Sequence, residues 1–445
     1  MPSATAKIWG VAQRDLGGRE PPVLYPEYTQ PGDTSYVYRE PEFWTSGFFP
    51  GSLHLLLERQ RKYRLLLHPP SSPDAQNNLS PHPLQLEFAC KWWTEKLHRN
   101  ATLQGTHDLG FMIAPWARLQ WELNHDRRSF DTIQIAADTL ASRFSDTVGC
   151  MRSWDTCETK TYSFTDPSAD FLVIIDNMMN LDLLFWAAAN TQSPSRSAAL
   201  YNIAVSHART TQRHHISHDS STTHVVNFDP STGSPKAKLT NQGHAHGSCW
   251  TRGQAWAVAG FAQVHAWTGD ESFLATARDC ADYFLRRLPD SLVPPWDFDA
   301  PPAAGDGQQQ PRDTSAALIA AYGMLLVHEA LVVRDGRSGY LDAALCIVDA
   351  VCGAHLNGPA MFEERGRDVE TVERGLVAGS SAGPVEVRIG EGDTIVNGAT
   401  INNYEFAPRR WADHGLVYAD YFFLLIGNKL LDMGVGREIR RLTPE

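Results

Sequence analysis

The residues best placed for chemistry lie in the stretch from Phe171 to Ala189, F-L-V-I-I-D-N-M-M-N-L-D-L-L-F-W-A-A-A. A β-branched run, Val173 to Ile175, breaks at Asp176, and from Asn177 the apolar residues Met178, Leu181, Leu184 and Phe185 recur at helical spacing. That pattern predicts Asp176 at or just inside a buried helix start, with Asn180 one turn on along the same face. An Asp there is ordinarily an N-cap. Capping needs only one polar group, however, and Asp176, Asn177, Asn180 and Asp182 crowd a segment too apolar to face water. A second carboxyl, Asp108, heads another helical pattern in His107-Asp108-Leu109-Gly110-Phe111. An N-cap is the ordinary reading of Asp108 too, but the unusual His-Asp-Leu-Gly run makes a functional role an equal one.

Arg252 lies in an apolar pattern between Trp250 and Trp256. Trp256 shares its face at i+4, so a stacked structural arginine is one reading. A guanidinium among tryptophans equally suits a sugar carboxylate. Taken alone, His224 reads as a satisfied structural histidine. The 13 tryptophans exceed what packing usually needs, and aromatic faces are platforms for pyranose rings.

These residues need elements to position them. Helical patterns run from Gly51 to about Tyr63 and over roughly 85–99, 109–125, 129–144, 177–190, 194–212, 250–268, 271–288, 313–334, 338–355 and 415–433. The strand-like segments are 222–229 and 383–396, and the Pro- and Tyr-rich residues 1–42 read as an irregular arm. Eleven helices with short connections predict an all-α chain, closed into a toroid rather than a solenoid because no fixed repeat is visible. Alternate helix starts in such a barrel face one end. Trp44, His107 and Asp108, Asp176, Gln242, Arg252 and Trp256 all sit at or just before helix starts, where they can line one funnel. The whole chain, 1–445, is expected to be one barrel domain.

Of the 445 residues, 42% are hydrophobic and 20% charged, which excludes a disordered or fibrous chain. The net charge of −12 argues against nucleic acid or an anionic membrane as partner. Seven cysteines without a CxxC point to reduced thiols in a cytoplasmic setting and to no zinc framework. The first residues lack the apolar core of a signal peptide. The sequons at Asn78 and Asn100 read as chance matches.

W-T-S-G-F (44–48), H-D-L-G-F (107–111), D-N-M-M-N-L (176–181), T-T-H-V-V-N-F-D-P-S-T-G (222–233), S-C-W-T-R-G-Q-A-W (248–256) and R-D-T-S-A-A (312–317) resemble the unsaturated glucuronyl hydrolases, glycoside hydrolase family 88. The resemblance runs in order from about 40 to 433. It implies an (α/α)6 barrel with a few short strands in loops. It also implies release of a 4,5-unsaturated glucuronic acid from the non-reducing end of lyase-generated oligosaccharides, without metal or organic cofactor, by a monomer or weak homodimer. Asp176 matches the family's acid/base and Asp108 its partner carboxylate. His107, His224, Gln242, Arg252 and Trp256 fall on substrate-binding positions, and Trp44 on a stacking tryptophan.

Two departures touch the neighbouring sugar: Asn241 stands where many members have His, and 403–415 lacks the serine- and lysine-bearing loop of some. Arg409, Arg410 and His414 are candidates to replace it. The alternatives are an unsaturated rhamnogalacturonyl hydrolase, another sugar-active helical barrel such as an epimerase or inverting glycosidase, and a silent carbohydrate-binding protein.

Overall fold

The computed structural model describes residues 2–63, 80–302, 310–364, 385–388, 392–407 and 410–435. Among these are twelve α-helices: α1 Pro2–Leu16, α2 Phe48–Lys62, α3 Pro83–Thr94, α4 Leu109–Asn124, α5 Arg127–Ala141, α6 Leu181–Ala189, α7 Pro194–His214, α8 Thr251–Thr268, α9 Glu271–Arg287, α10 Thr314–Asp335, α11 Tyr340–His355 and α12 Val417–Asp432. The even-numbered helices close on one another as an inner ring, α2–α4–α6–α8–α10–α12 and back to α2, and the odd-numbered ones clad it. This is the (α/α)6 barrel. The apolar pattern fits the layering: α8 and α10 are buried on nearly every face, whereas the amphipathic outer helices α5 and α9 bury one stripe. Thr314–Asp335 is apolar enough to cross a membrane by composition, and its place in the inner ring accounts for that.

The irregular arm expected over 1–42 is corrected by the structure. Pro2 opens α1, and Ala4, Ile8, Trp9, Val11 and Ala12 form a buried stripe along it, so this is the sixth outer helix. The Pro and Tyr residues that suggested irregularity belong to the next element, a hairpin of Tyr25–Thr29 and Tyr36–Arg39.

Connections differ at the two ends. Inner helices α4, α8 and α10 pass to the next outer helix through a few residues, Asn124 to Arg127, Thr268 to Glu271 and Asp335 to Tyr340, with left-handed His125, Gly269 and Gly336 ending the helices. Connections back to the inner ring are long and carry nearly all the strands. Phe171–Ile174, Val225–Phe228 and Pro235–Leu239 form a three-stranded antiparallel sheet, which confirms a strand within 222–229. Val385–Arg388, within the predicted 383–396, pairs with Met361–Glu364. Asn100 is buried and donates to the Pro41 carbonyl, so its sequon is closed to modification in the fold; Asn78 lies outside the described residues.

Candidate active site

The long connections bring the chemistry to one end. Strand Phe171–Ile174 delivers the chain into a 3-10 turn, Ile175–Asn180, ahead of α6, rather than directly into an α-helix. Asp176 lies on this turn and its side chain caps nothing. The head of α4 presses on the turn from one side: a Cβ on Gly110 would stand 2.4 Å from Asn180 Oδ1. From the other side α8 closes in, and a Cβ on Gly260 would stand 2.6 Å from Met178 Cβ. Asp108 occupies the N-cap position of α4, yet its side chain makes no cap bond either. The ordinary capping reading fails for both carboxyls.

Asp176 is buried, and its carboxyl is pushed up to about 7. Desolvation dominates that rise; Arg252 opposes it and Asp108 adds to it. The Asp176 backbone N–H and the Trp256 indole N–H, neither within hydrogen-bond reach of Oδ1, oppose it weakly. No protein group hydrogen-bonds Asp176 Oδ1. His224 Nε2 stands 3.9 Å from this oxygen. The backbone N–H of Asn241 donates to His224 Nδ1 at 3.2 Å, so Nδ1 must be bare and the proton of the neutral ring is on Nε2, facing Asp176. Burial pushes His224 down to about 3, so the neutral ring is the resident form. The ring also lies against Trp250, with centroids 4.4 Å apart.

Asp108 is held by Thr106, a neighbour that sequence reasoning missed, while neutral His107 turns a bare Nε2 toward it. Thr106 Oγ1 donates to its Oδ2 at 2.7 Å, and His107 Nε2 is 3.2 Å from its Oδ1. His107 Nδ1 bonds the Ser153 carbonyl at 3.0 Å and so carries a proton.

Arg252 differs from the expectation. Its NH1 donates to Asp313 Oδ2 at 2.7 Å and to the Thr400 carbonyl at 2.6 Å; its NH2 donates to Gln242 Oε1 at 2.8 Å and the Ile401 carbonyl at 2.7 Å. All four terminal hydrogens are committed, so a uronate does not meet a free fork. The guanidinium lies over Trp250, 4.6 Å from the ring, and 5.5 Å from Tyr418. Trp256 instead packs on Phe111 and Phe422, its Nε1 without a protein hydrogen-bond partner. Half-buried Trp44 packs on Phe48, Phe111 and Tyr418.

Asn241 serves His224 through its backbone, which any residue could supply, and turns its amide toward Cys157. His414 is buried against Tyr28, with Nδ1 on the Gly415 carbonyl; Arg410 NH2 reaches the Glu405 carbonyl, and Arg409 lies outside the described residues.

A cavity of about 540 Å³ opens at the opposite end, where the inner helices finish. Its charges are engaged by protein partners: Arg118 pairs with Glu122 and Asp182, Lys62 with Glu58, Lys429 with Glu329, and Asp432 accepts from Tyr63 Oη. Around Asp176 several buried polar atoms lack a protein partner together: Asp176 Oδ1, His224 Nε2, Trp256 Nε1 and both side-chain heteroatoms of Asn180.

No protein-family model matches the chain. An unsaturated glucuronyl hydrolase from Formosa agariphila is 32% identical over 384 residues, covering 86% of this chain and 78% of that one. One from Bacillus sp. strain GL1 is 32% identical over 349 residues, with 77% and 81% covered. The chain belongs to the unsaturated glucuronyl hydrolase family. Solved structures of such hydrolases overlay the whole fold: that of the Bacillus sp. GL1 enzyme, responsible for the degradation of glycosaminoglycan, has a TM-score of 0.72 at 26% identity, with 97% of each chain covered. A family complex with dGlcA-Glc-Rha-Glc gives a TM-score of 0.70 at 26% identity, again with 97% of each covered. An unsaturated glucuronyl hydrolase is a glycosidase, and the acid required for that work has a clear candidate in Asp176.

Proposed function

We propose that this chain hydrolyses oligosaccharides ending in a 4,5-unsaturated glucuronate, with Asp176 as both acid and base. The C4=C5 bond of that sugar is an enol ether conjugated with the C5 carboxylate. Asp176, protonated, gives its proton to C4, and the positive charge left at C5 is shared with the ring oxygen. The carboxylate so formed takes a proton from water as the water oxygen bonds to C5. The hemiketal opens at the ring oxygen, which leaves a hemiacetal at C1, and that collapses to release the neighbouring sugar. One water is consumed, and no nucleophile attacks the anomeric carbon.

The observation that carries this reading is a buried carboxyl pushed up to about 7 whose Oδ1 is bonded by nothing in the protein. Such a group is divided between its two forms near neutral pH, as both steps require. Asp108 supports the protonated form, and His224 Nε2–H, Trp256 Nε1 and the Gln242 amide surround the bound uronate. Trp44 offers the stacking face. All seven cysteines are free thiols, which supports a reducing, intracellular setting.

The test is the ultraviolet absorbance of the conjugated double bond in an unsaturated disaccharide. It should decay with enzyme, while a saturated p-nitrophenyl glucuronide releases no nitrophenol. Nitrophenol release without loss of absorbance would replace this reading by an ordinary glycosidase.

A further inference from the structure

The motif R-D-T-S-A-A places Asp313 at the N-cap of α10, and capping alone would explain it. Its Oδ1 does that work, accepting from Ser315 N at 3.1 Å, Ala316 N at 3.3 Å and Ser315 Oγ at 2.5 Å. Its Oδ2 is turned to Arg252 at 2.7 Å, with the two side chains 0% and 2% exposed. A cap needs no such pairing. Arg252 then reaches forward with its remaining hydrogens to the Gln242 amide and to the carbonyls of Thr400 and Ile401, so Asp313 stands behind three groups of the mouth.

We propose that Asp313 is a positioning residue for the reaction: through Arg252 it fixes Gln242 and the Thr400 and Ile401 carbonyls, adding a direct bond from Thr400 N–H to its Oδ1 at 3.4 Å, and it supplies the negative charge that lets a guanidinium stand beside the acid. This rests on Asp176 being the acid/base.

The charged groups around Asp176 come from every neighbouring element. Asp108 faces it from the head of α4, His224 from the start of strand Val225–Phe228, and Arg252 from α8. Behind Arg252 are Asp313 from α10, Tyr418 from α12 and His414 from the preceding loop. His224 is neutral, so the contest is Asp108 raising Asp176 against Arg252 lowering it. A guanidinium stripped of Asp313 would win that contest, because buried charge is poorly screened.

The test is Asp313→Asn, whose amide still caps the helix. The basic limb of kcat/KM should move to lower pH by about one unit, the lower end of what an opposite charge at this range does. A role in capping alone leaves the limb in place, and an unmoved limb in folded protein overturns the proposal. Should that variant not fold, the same charge is read from Arg252→Gln against Arg252→Gln/Asp313→Asn. The limb of the double variant should lie at lower pH than that of the single, and equal limbs overturn the proposal. If no variant of the pair folds, the pair is a structural staple and the proposal falls. The Asp176 carboxyl band, identified by its absence in Asp176→Asn and titrated by difference infrared spectroscopy, gives the same readout without turnover. A wild-type protein that leaves the unsaturated disaccharide intact would sink the functional reading while this titration still decides the role of Asp313.

Discussion

Asp176, on the turn before α6, and Asp420, in the first turn of α12, are both buried carboxyls pushed up to about 7, with desolvation the main cause in each. Their surroundings differ. Asp420 accepts from the backbone N–H groups of Ile395 and Val396 and from Tyr36 Oη at 2.8 Å, so it staples the 395–396 segment and the N-terminal hairpin to α12. Asp176 Oδ1 accepts nothing. A raised carboxyl therefore does not by itself mark a reactive one; what distinguishes Asp176 is an acceptor left for something other than the protein.

Asparagine at each position should separate the two roles most sharply. Asp176→Asn should lose at least ~10³-fold in turnover, since an amide neither gives nor takes the proton. It should also be stabilised. The folded carboxyl titrates near 7 against an ordinary 3.8, so the fold binds the extra proton and its stability falls as pH rises from about 4 to 7. By about 1.4 kcal/mol per unit the cost is up to about 4 kcal/mol above pH 7. The melting temperature of Asp176→Asn should exceed wild type at pH 8 and match it at pH 4. Asp420→Asn should keep near-normal turnover per folded molecule. Its broken hydrogen-bond cluster costs roughly 1–3 kcal/mol at pH 4, a loss offset as pH rises because Asp420 is also pushed up to about 7 and carries the same ionisation cost. A variant of Asp420 that folds well but is inactive would break the comparison.

Asp108→Asn comes next. It removes a charge that raises Asp176, so the basic limb of the pH–rate profile should move to lower pH. An unchanged profile with weaker binding would reassign Asp108 to holding substrate.

Physical reasons decide how much of this was legible in the sequence. The inner helices announce themselves by apolar spacing, and the polar residues at their starts had to converge because alternate starts face one end. Asp108, Asp176 and Gln242 were readable on that account, whereas His224 read alone as a structural histidine and became a site residue only through the family resemblance. The partners of Arg252 were not: Asp313 and the 400–401 carbonyls lie 61, 148 and 149 residues away, a separation no spacing rule spans. Tyr418, rather than Trp256, shares Arg252 with Trp250, because the ring brings α12 beside α8 only in three dimensions. The outer helix α1 was hidden by the proline and tyrosine of the hairpin behind it.

Gly110→Ala tests the packing that aims Asp176. The added Cβ meets Asn180 Oδ1 and Asn180 Cα at 2.4 and 2.7 Å, so α4 and the 175–180 turn must part. Overpacking of this kind costs about 1–3 kcal/mol. Because the displaced turn carries Asp176, kcat should fall more than KM rises. A variant that loses stability but keeps kcat would mean that the turn tolerates displacement.

The smallest effect is expected at Thr106, whose hydroxyl gives Asp108 Oδ2 a 2.7 Å hydrogen bond. It is the counterpart of the Tyr36 bond to Asp420, but on the carboxyl that faces the mouth. Thr106→Ala removes a donor to a partly exposed carboxylate, a bond worth about 1.5 kcal/mol. If that bond orients Asp108 toward Asp176, kcat/KM should fall about tenfold while the melting temperature moves little. Thr106→Ser keeps the hydroxyl and should stay close to wild type. Equal losses in both variants would point to the missing methyl rather than the hydroxyl, and the Thr106 bond would then have no part in orienting Asp108.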